Sequence, residues 1–122
     1  MERLTPQEES VMNAFWTSGA RTTKEAMAQL PEPQPPYTTV ASIVRNLEGK
    51  GYLRGTHQGK QYQYECLVSP EEYSAHSIGR IVGQYYTGSY KEVVQHFVRT
   101  SKLSADELQE IVALIERGAE ED

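Results

Sequence analysis

Residues Pro35–Leu53 read "PPYTTVASIVRNLEGKGYL". The prolines halt any preceding helix, since proline lacks a backbone donor and restricts the residue before it. Beyond them Val40, Ile43, Val44 and Leu47 recur at helical spacing and give one apolar face. The pattern ends at Lys50-Gly51, where Gly51 suits the left-handed position just past a helix end. The other side carries Thr38, Thr39, Ser42, Arg45 and Asn46, and the first carboxylate is Glu48, near the far end. One face of this helix is built for a core, and the other is either solvated or meets a ligand.

Working outward, "YLRGTHQGKQYQYECL" holds two short runs around "HQGK". The second alternates Gln61, Tyr62, Gln63 and Tyr64 with period two, which predicts a β-hairpin with both tyrosines on one face. Elsewhere, Ser or Thr precedes Glu by three residues at "TPQE" (Thr5), "TTKE" (Thr22), "SPEE" (Ser69), "SYKE" (Ser89) and "SADE" (Ser104). That is capping-box spacing, in which each side chain satisfies an orphan N–H of the other's backbone. Pro6 and Pro70 add the favoured first-turn proline. A helical apolar pattern follows each box, including Val11, Met12, Phe15 and Trp16 near the start and Ala26, Met27 and Leu30 in the second helix.

The predicted order is three helices, a hairpin and three more helices, a mainly α fold with one small β-hairpin. Residues 1–69 are expected to form a winged helix-turn-helix domain. Residues 70–122 are expected to form a three-helix region too short for a core of its own. Its stripes carry Ile78, Ile81, Val82 and Tyr85, then Val94, Phe97 and Val98, then Leu108, Ile111, Val112 and Ile115. Packing these against a second copy about a twofold axis is the economical solution, so they are the expected dimerisation residues.

The 122 residues carry 12 Lys and Arg against 17 Asp and Glu, a net charge of −5 that, taken as a whole, disfavours nucleic acid. The distribution says otherwise. Residues 1–70 hold 7 of each sign, and residues 71–122 hold 5 basic and 10 acidic groups, so the excess lies in the tail. Between Pro36 and Tyr64, Arg45, Lys50, Arg54 and Lys60 face only Glu48, a local +3 before His57 is counted.

Of the six predicted helices, the one starting near Thr38 alone lacks an acid in its first turn. An acid there suits the helix dipole but repels an arriving phosphate. Thr and Ser hydroxyls bond phosphates or base edges, and an Arg takes guanine in bidentate fashion. The expected DNA-binding residues are therefore Thr38, Thr39, Ser42, Arg45 and Asn46 on the helix, with Lys50, Arg54, His57 and Lys60 at its end and on the wing. A solvated face is the plainer reading, but such faces mix Glu with Lys, as the tail helices do. The charged hairpin tip also suits protection of a strand edge.

The pieces "LTPQEESVMNAFW" from Leu4, "YTTVASIVRNLEGKGYL" from Tyr37, "YQYECLVSPEEY" from Tyr62 and "VVQHFVRTSKLSADELQEI" from Val93 span nearly the whole chain. In this order they resemble the BlaI/MecI/CopY family, the penicillinase-repressor group of bacterial transcription regulators. The resemblance implies a homodimeric repressor whose winged helices bind an operator with dyad symmetry and whose C-terminal helices dimerise. In members under a membrane sensor-protease it implies inactivation by cleavage of an Asn-Phe bond in the tail. The matching bond here is His96-Phe97, with His in place of Asn, and Phe97 also reads as a dimer-core residue. Copper-responsive members carry CxC pairs near the C-terminus, and this tail has no cysteine.

Other classes find little support. No nucleophile elbow, phosphate-cradling glycine loop or HExxH helix is present, so no enzyme is expected. The single Cys66, read as a small residue on a strand, rules out an internal disulfide. His57, His76 and His96 lack ligand spacing, and neither metal nor cofactor is expected. Without a signal sequence or an apolar run near the ~18 residues of a membrane span, the expected location is the cytoplasm. "PEPQPP" from Pro31 reads as a stiff connection, though it contains a PxxP spacing and is longer than the usual helix-turn-helix turn. The rival function is a winged helix that binds a basic protein partner.

Overall fold

The computed structural model describes residues 1–118. Six helices and one hairpin follow the expected order: α1 (Pro6–Ser18), α2 (Thr23–Ala28), α3 (Tyr37–Gly49), β1 (Leu53–Gln58), β2 (Gln61–Cys66), α4 (Pro70–Tyr85), α5 (Tyr90–Arg99) and α6 (Ala105–Glu116). The chain divides into two compact units, Met1–Ser77 and the segment from Ile78 onward. The last four residues of the 70–122 segment lie outside the described residues.

Local capping sets most helix starts. Thr5, Thr22, Ser69 and Ser104 each form the reciprocal pair with the Glu three residues on. The Ser89 box is only half made: Ser89 Oγ accepts from the Glu92 N–H at 3.2 Å, while the Ser89 N–H goes to the Tyr86 carbonyl. Helix α3 begins at Pro36 with no side-chain cap and no acid in its first turn. It ends in a Schellman motif, with the Gly51 N–H on the Glu48 carbonyl and the Tyr52 N–H on the Leu47 carbonyl. Gly51 takes φ +84°, a conformation that costs a residue with a Cβ about 1–2 kcal/mol.

In the first unit α1, α2 and α3 close around Val11, Met12, Phe15, Ala26, Val40, Val44 and Leu47. Tyr52 and Leu53 extend this core to the hairpin. The unit runs past Ser69 because Tyr73 on α4 is buried in the same core. Its ring lies 5.7 Å from Trp16 and 5.8 Å from Tyr52, and its hydroxyl donates to Glu9. Such aromatic pairs add about 0.5–1.5 kcal/mol each beyond the area they bury. Trp16 Nε1 also donates to the Val68 carbonyl at 2.9 Å, fastening the strand exit to α1.

The second unit is packed differently. No residue of α5 or α6 is buried, and Ile78, Ile81, Tyr85, Val94, Phe97, Val98, Ile111, Val112 and Ile115 are all exposed. Leu108 is half-buried. Val82 departs from the rest of the expected dimerisation set: only 2% exposed, it is already enclosed by its own chain. Helix α5 also ends in a Schellman motif, but here Ser101 occupies the left-handed position at φ +60°.

Candidate nucleic-acid interface

Helix α3 turns Val40, Ile43, Val44 and Leu47 into the core, so its opposite face must point outward. Thr38, Ser42, Arg45 and Asn46 are exposed there, and Thr39 is half-buried at the edge. No carboxylate interrupts this face, because Glu48 is half-buried and its Oε2 accepts from the Gly55 N–H at 3.2 Å. Arg45 forms no ion pair among the described residues.

The hairpin forms the wing. β1 and β2 pair antiparallel from Leu53↔Cys66 to Gln58↔Gln61, leaving Gly59 and Lys60 as a two-residue loop. Gly59 adopts φ +67°, as the primed turns of tight hairpins require. Side chains alternate across the strands. One face therefore carries Gly55, His57, Tyr62 and Tyr64, and the other Arg54, Thr56, Gln58, Gln61, Gln63 and Glu65. On the first face the rings interlock edge to face, His57 to Tyr62 at 4.9 Å and Tyr62 to Tyr64 at 5.3 Å. Gly55 is required beneath them, because a Cβ there would stand 2.3 Å from Tyr62 Cε2 and 2.8 Å from Tyr64 Cε1.

The wing is tied to the helices through Tyr64. Its N–H donates to the Arg21 carbonyl at 2.7 Å, and its ring meets Phe15 edge-on at 6.1 Å. Burial, and then the nearby Glu48 carboxylate, push its phenol above the ordinary range and keep it neutral. Tyr62 extends beyond this anchor and stays 41% exposed.

Two of the sequence-predicted cations are engaged elsewhere. Lys50 Nζ donates to Glu8 Oε1 at 2.7 Å and to the Arg3 carbonyl at 3.1 Å, and its side chain is only 22% exposed. It ties the end of α3 to the start of α1. Burial pushes the Glu8 carboxyl up, but the Lys50 ammonium and the Thr5 N–H and hydroxyl outweigh that and hold it below the ordinary range. Arg54 pairs with Glu65, its cross-strand partner, on the wing face away from the aromatic rings. His57 and Lys60 remain exposed on the wing.

The sequence reading missed the ground between the elements. Thr22, Thr23, Lys24, Tyr37, Gln61, Tyr62 and Tyr64 line one open hollow of about 260 Å³. It joins the start of α2, the start of α3 and the aromatic face of the wing. Lys24 is exposed with no ion pair among the described residues, and Tyr37 is 51% exposed. A signal for Lys24 was its place beside two threonines in "TTKE", but it fell outside the stretch counted as basic.

A three-helix unit with a hairpin wing, followed by further C-terminal helices, is a winged helix-turn-helix protein. More narrowly, the chain belongs to the penicillinase repressor family, whose sequence profile matches residues 4–117. It is 23% identical to the methicillin resistance regulatory protein MecI of Staphylococcus aureus over 110 residues, covering 88% of this chain and 89% of that one. It is 21% identical to the penicillinase repressor of Bacillus licheniformis over 115 residues, covering 93% and 90%. The family is one of DNA-binding transcriptional repressors, not enzymes. No helix among the described residues is long and apolar enough to cross a membrane.

Proposed function

We propose that this chain is a sequence-specific repressor that binds, as a homodimer, an operator with dyad symmetry. The observation that carries the reading is the exposed, carboxylate-free face of α3, from Thr38 to Asn46, beside the wing. Seated in a major groove, that face puts Ser42, Arg45 and Asn46 toward base edges and the uncapped helix start toward a phosphate. Lys60 and His57 on the wing reach the flanking backbone or minor groove. Lys50 and Arg54 fall to supporting parts, one fixing α3 against α1 and the other bracing the hairpin.

Dimerisation is supported by the exposed apolar residues of α5 and α6, which a second copy would cover. The partners in this reading are an operator duplex, a second copy of the chain and, upstream, a membrane sensor-protease, with the repressor acting in the cytoplasm. Relief by cleavage of the tail at His96-Phe97 meets a structural requirement. The bond lies within α5, and the His96 ring rests 6.0 Å from Tyr86, so this turn must open before a protease can hold it extended.

Footprinting on the DNA upstream of the protein's own reading frame locates the operator, and salt titration of duplex binding then tests the reading. Lys60 in two protomers gives a log K against log salt slope of about −1.8 or steeper, at about −0.9 per neutralised phosphate. Arg45→Ala should cost about 1–3 kcal/mol at a particular operator position. A flat salt response, or no duplex binding at low salt, overturns the repressor reading in favour of a protein-binding winged helix.

A further inference from the structure

We propose that the hollow between α2, α3 and the wing holds one phosphodiester of the operator, bound by Lys24, Tyr37 and Tyr62. The inference rests on the repressor reading and adds a backbone contact outside both the α3 face and the hairpin tip.

The chemistry of the lining selects an anion. Lys24 brings an ammonium with no carboxylate partner among the described residues, and Tyr37 and Tyr62 bring half-exposed phenols. No carboxylate lines the hollow. The acids nearest in sequence or field are occupied by backbone. Glu25 Oε1 accepts from the N–H groups of Arg21 at 2.8 Å and Thr22 at 3.3 Å, and Glu48 Oε2 accepts from Gly55. At about 260 Å³ and open to solvent, the hollow is smaller than the roughly 300–1,000 Å³ of small-molecule sites and fits a contact along a larger ligand.

Position adds to chemistry. The hollow adjoins the first turn of α3, so a phosphate held there fixes how far the helix sits along the groove before any base is read. The Tyr62 ring is held toward it by His57 and Tyr64 on either side and by the absence of a Cβ at Gly55. Lys24 reaches the hollow from α2, which is neither the reading helix nor the wing. Lys24, Tyr37 and Tyr62 thus meet at one hollow from three different elements.

The test measures the full-length dimer against two duplexes, the footprinted operator and a scrambled duplex of equal length, across a range of salt. Lys24→Gln should lower affinity for both duplexes by the same factor and make the salt slope shallower by about 1.8, one 0.9 increment per protomer. Tyr62→Phe should lower affinity for both duplexes with the slope unchanged, since it removes a neutral donor and keeps the ring. Lys102→Ala, the same charge loss in the tail, should leave the slope as it was. Thermal melting confirms that each variant is folded. If Lys24→Gln retains wild-type affinity and slope while Arg45→Ala loses binding, the hollow holds no phosphate and the repressor reading stands. If the wild-type protein shows no salt-dependent duplex binding, both proposals fall together.

Discussion

The winged-helix unit and the segment after Ser77 use their apolar residues in opposite ways. In the first, α1, α2 and α3 turn Val11, Met12, Phe15, Ala26, Val40, Val44 and Leu47 inward until almost nothing of them is exposed. In the second, α5 and α6 carry equally regular stripes, yet Phe97, Val98, Ile111, Val112 and Ile115 remain open. A chain needs roughly 60 residues for a comfortable core of its own, and the second unit is shorter than that. Its helices are shaped by local capping and leave their apolar faces exposed.

Removing everything after Ser77 breaks the comparison most directly. The truncated protein should stay folded, because Tyr73 is kept with its partners Trp16 and Tyr52, but should sediment as a monomer at all concentrations. A truncated protein that remains dimeric contradicts the role given to the tail. Next in size, Leu47→Ala removes a fully buried side chain and should cost about 2–5 kcal/mol in urea unfolding. The same truncation in the tail, Ile111→Ala, should act mainly by raising the protein concentration needed for dimer formation. Equal losses at every concentration would show that the tail has a core of its own.

Glu8→Gln tests how α3 is held. It weakens the partly buried link to Lys50 and should cost about 1–3 kcal/mol, less than the 3–5 typical of a fully buried broken pair. The Glu8 carboxyl titrates lower in the folded state than in the unfolded chain. Its stabilisation is therefore fully present above the ordinary carboxylate range and is lost as pH falls through the lowered folded value. Wild type should lose stability over that acid window more steeply than Glu8→Gln, measured by urea midpoints at a series of pH values. Ser101→Gly should have the smallest effect, a gain of about 1 kcal/mol, by relieving a side chain at φ +60° where α3 uses Gly51. A loss at Ser101 would mean that its side chain supports the turn.

Much of the fold was legible because its signals are local. A Thr or Ser bonding a Glu three residues on forms within one turn, and four of five such pairs appear as reciprocal boxes. The fifth, at Ser89, is half made because the Tyr86 carbonyl in the preceding turn competes for its N–H. The apolar face of α3 was equally plain, since Val40, Ile43, Val44 and Leu47 all sit on one helix. The candidate site was harder to read. The Lys50–Glu8 pair is hidden in the sequence because its partners lie 42 residues apart. The Arg54–Glu65 pair depends on hairpin register, which sets residues 11 apart in sequence opposite one another.

The sequence by itself determined where helices start, which faces are apolar, that a hairpin follows α3, and that the outward face of α3 carries no acid. Each of these is a matter of neighbours within about one turn or one strand repeat. Only the tertiary structure decided which charges remain available and which side chains share a surface. Ion pairing and concavity depend on distance in space. Folding brings Glu8 to Lys50, encloses Val82, and gathers Lys24, Tyr37 and Tyr62 from three elements around one hollow.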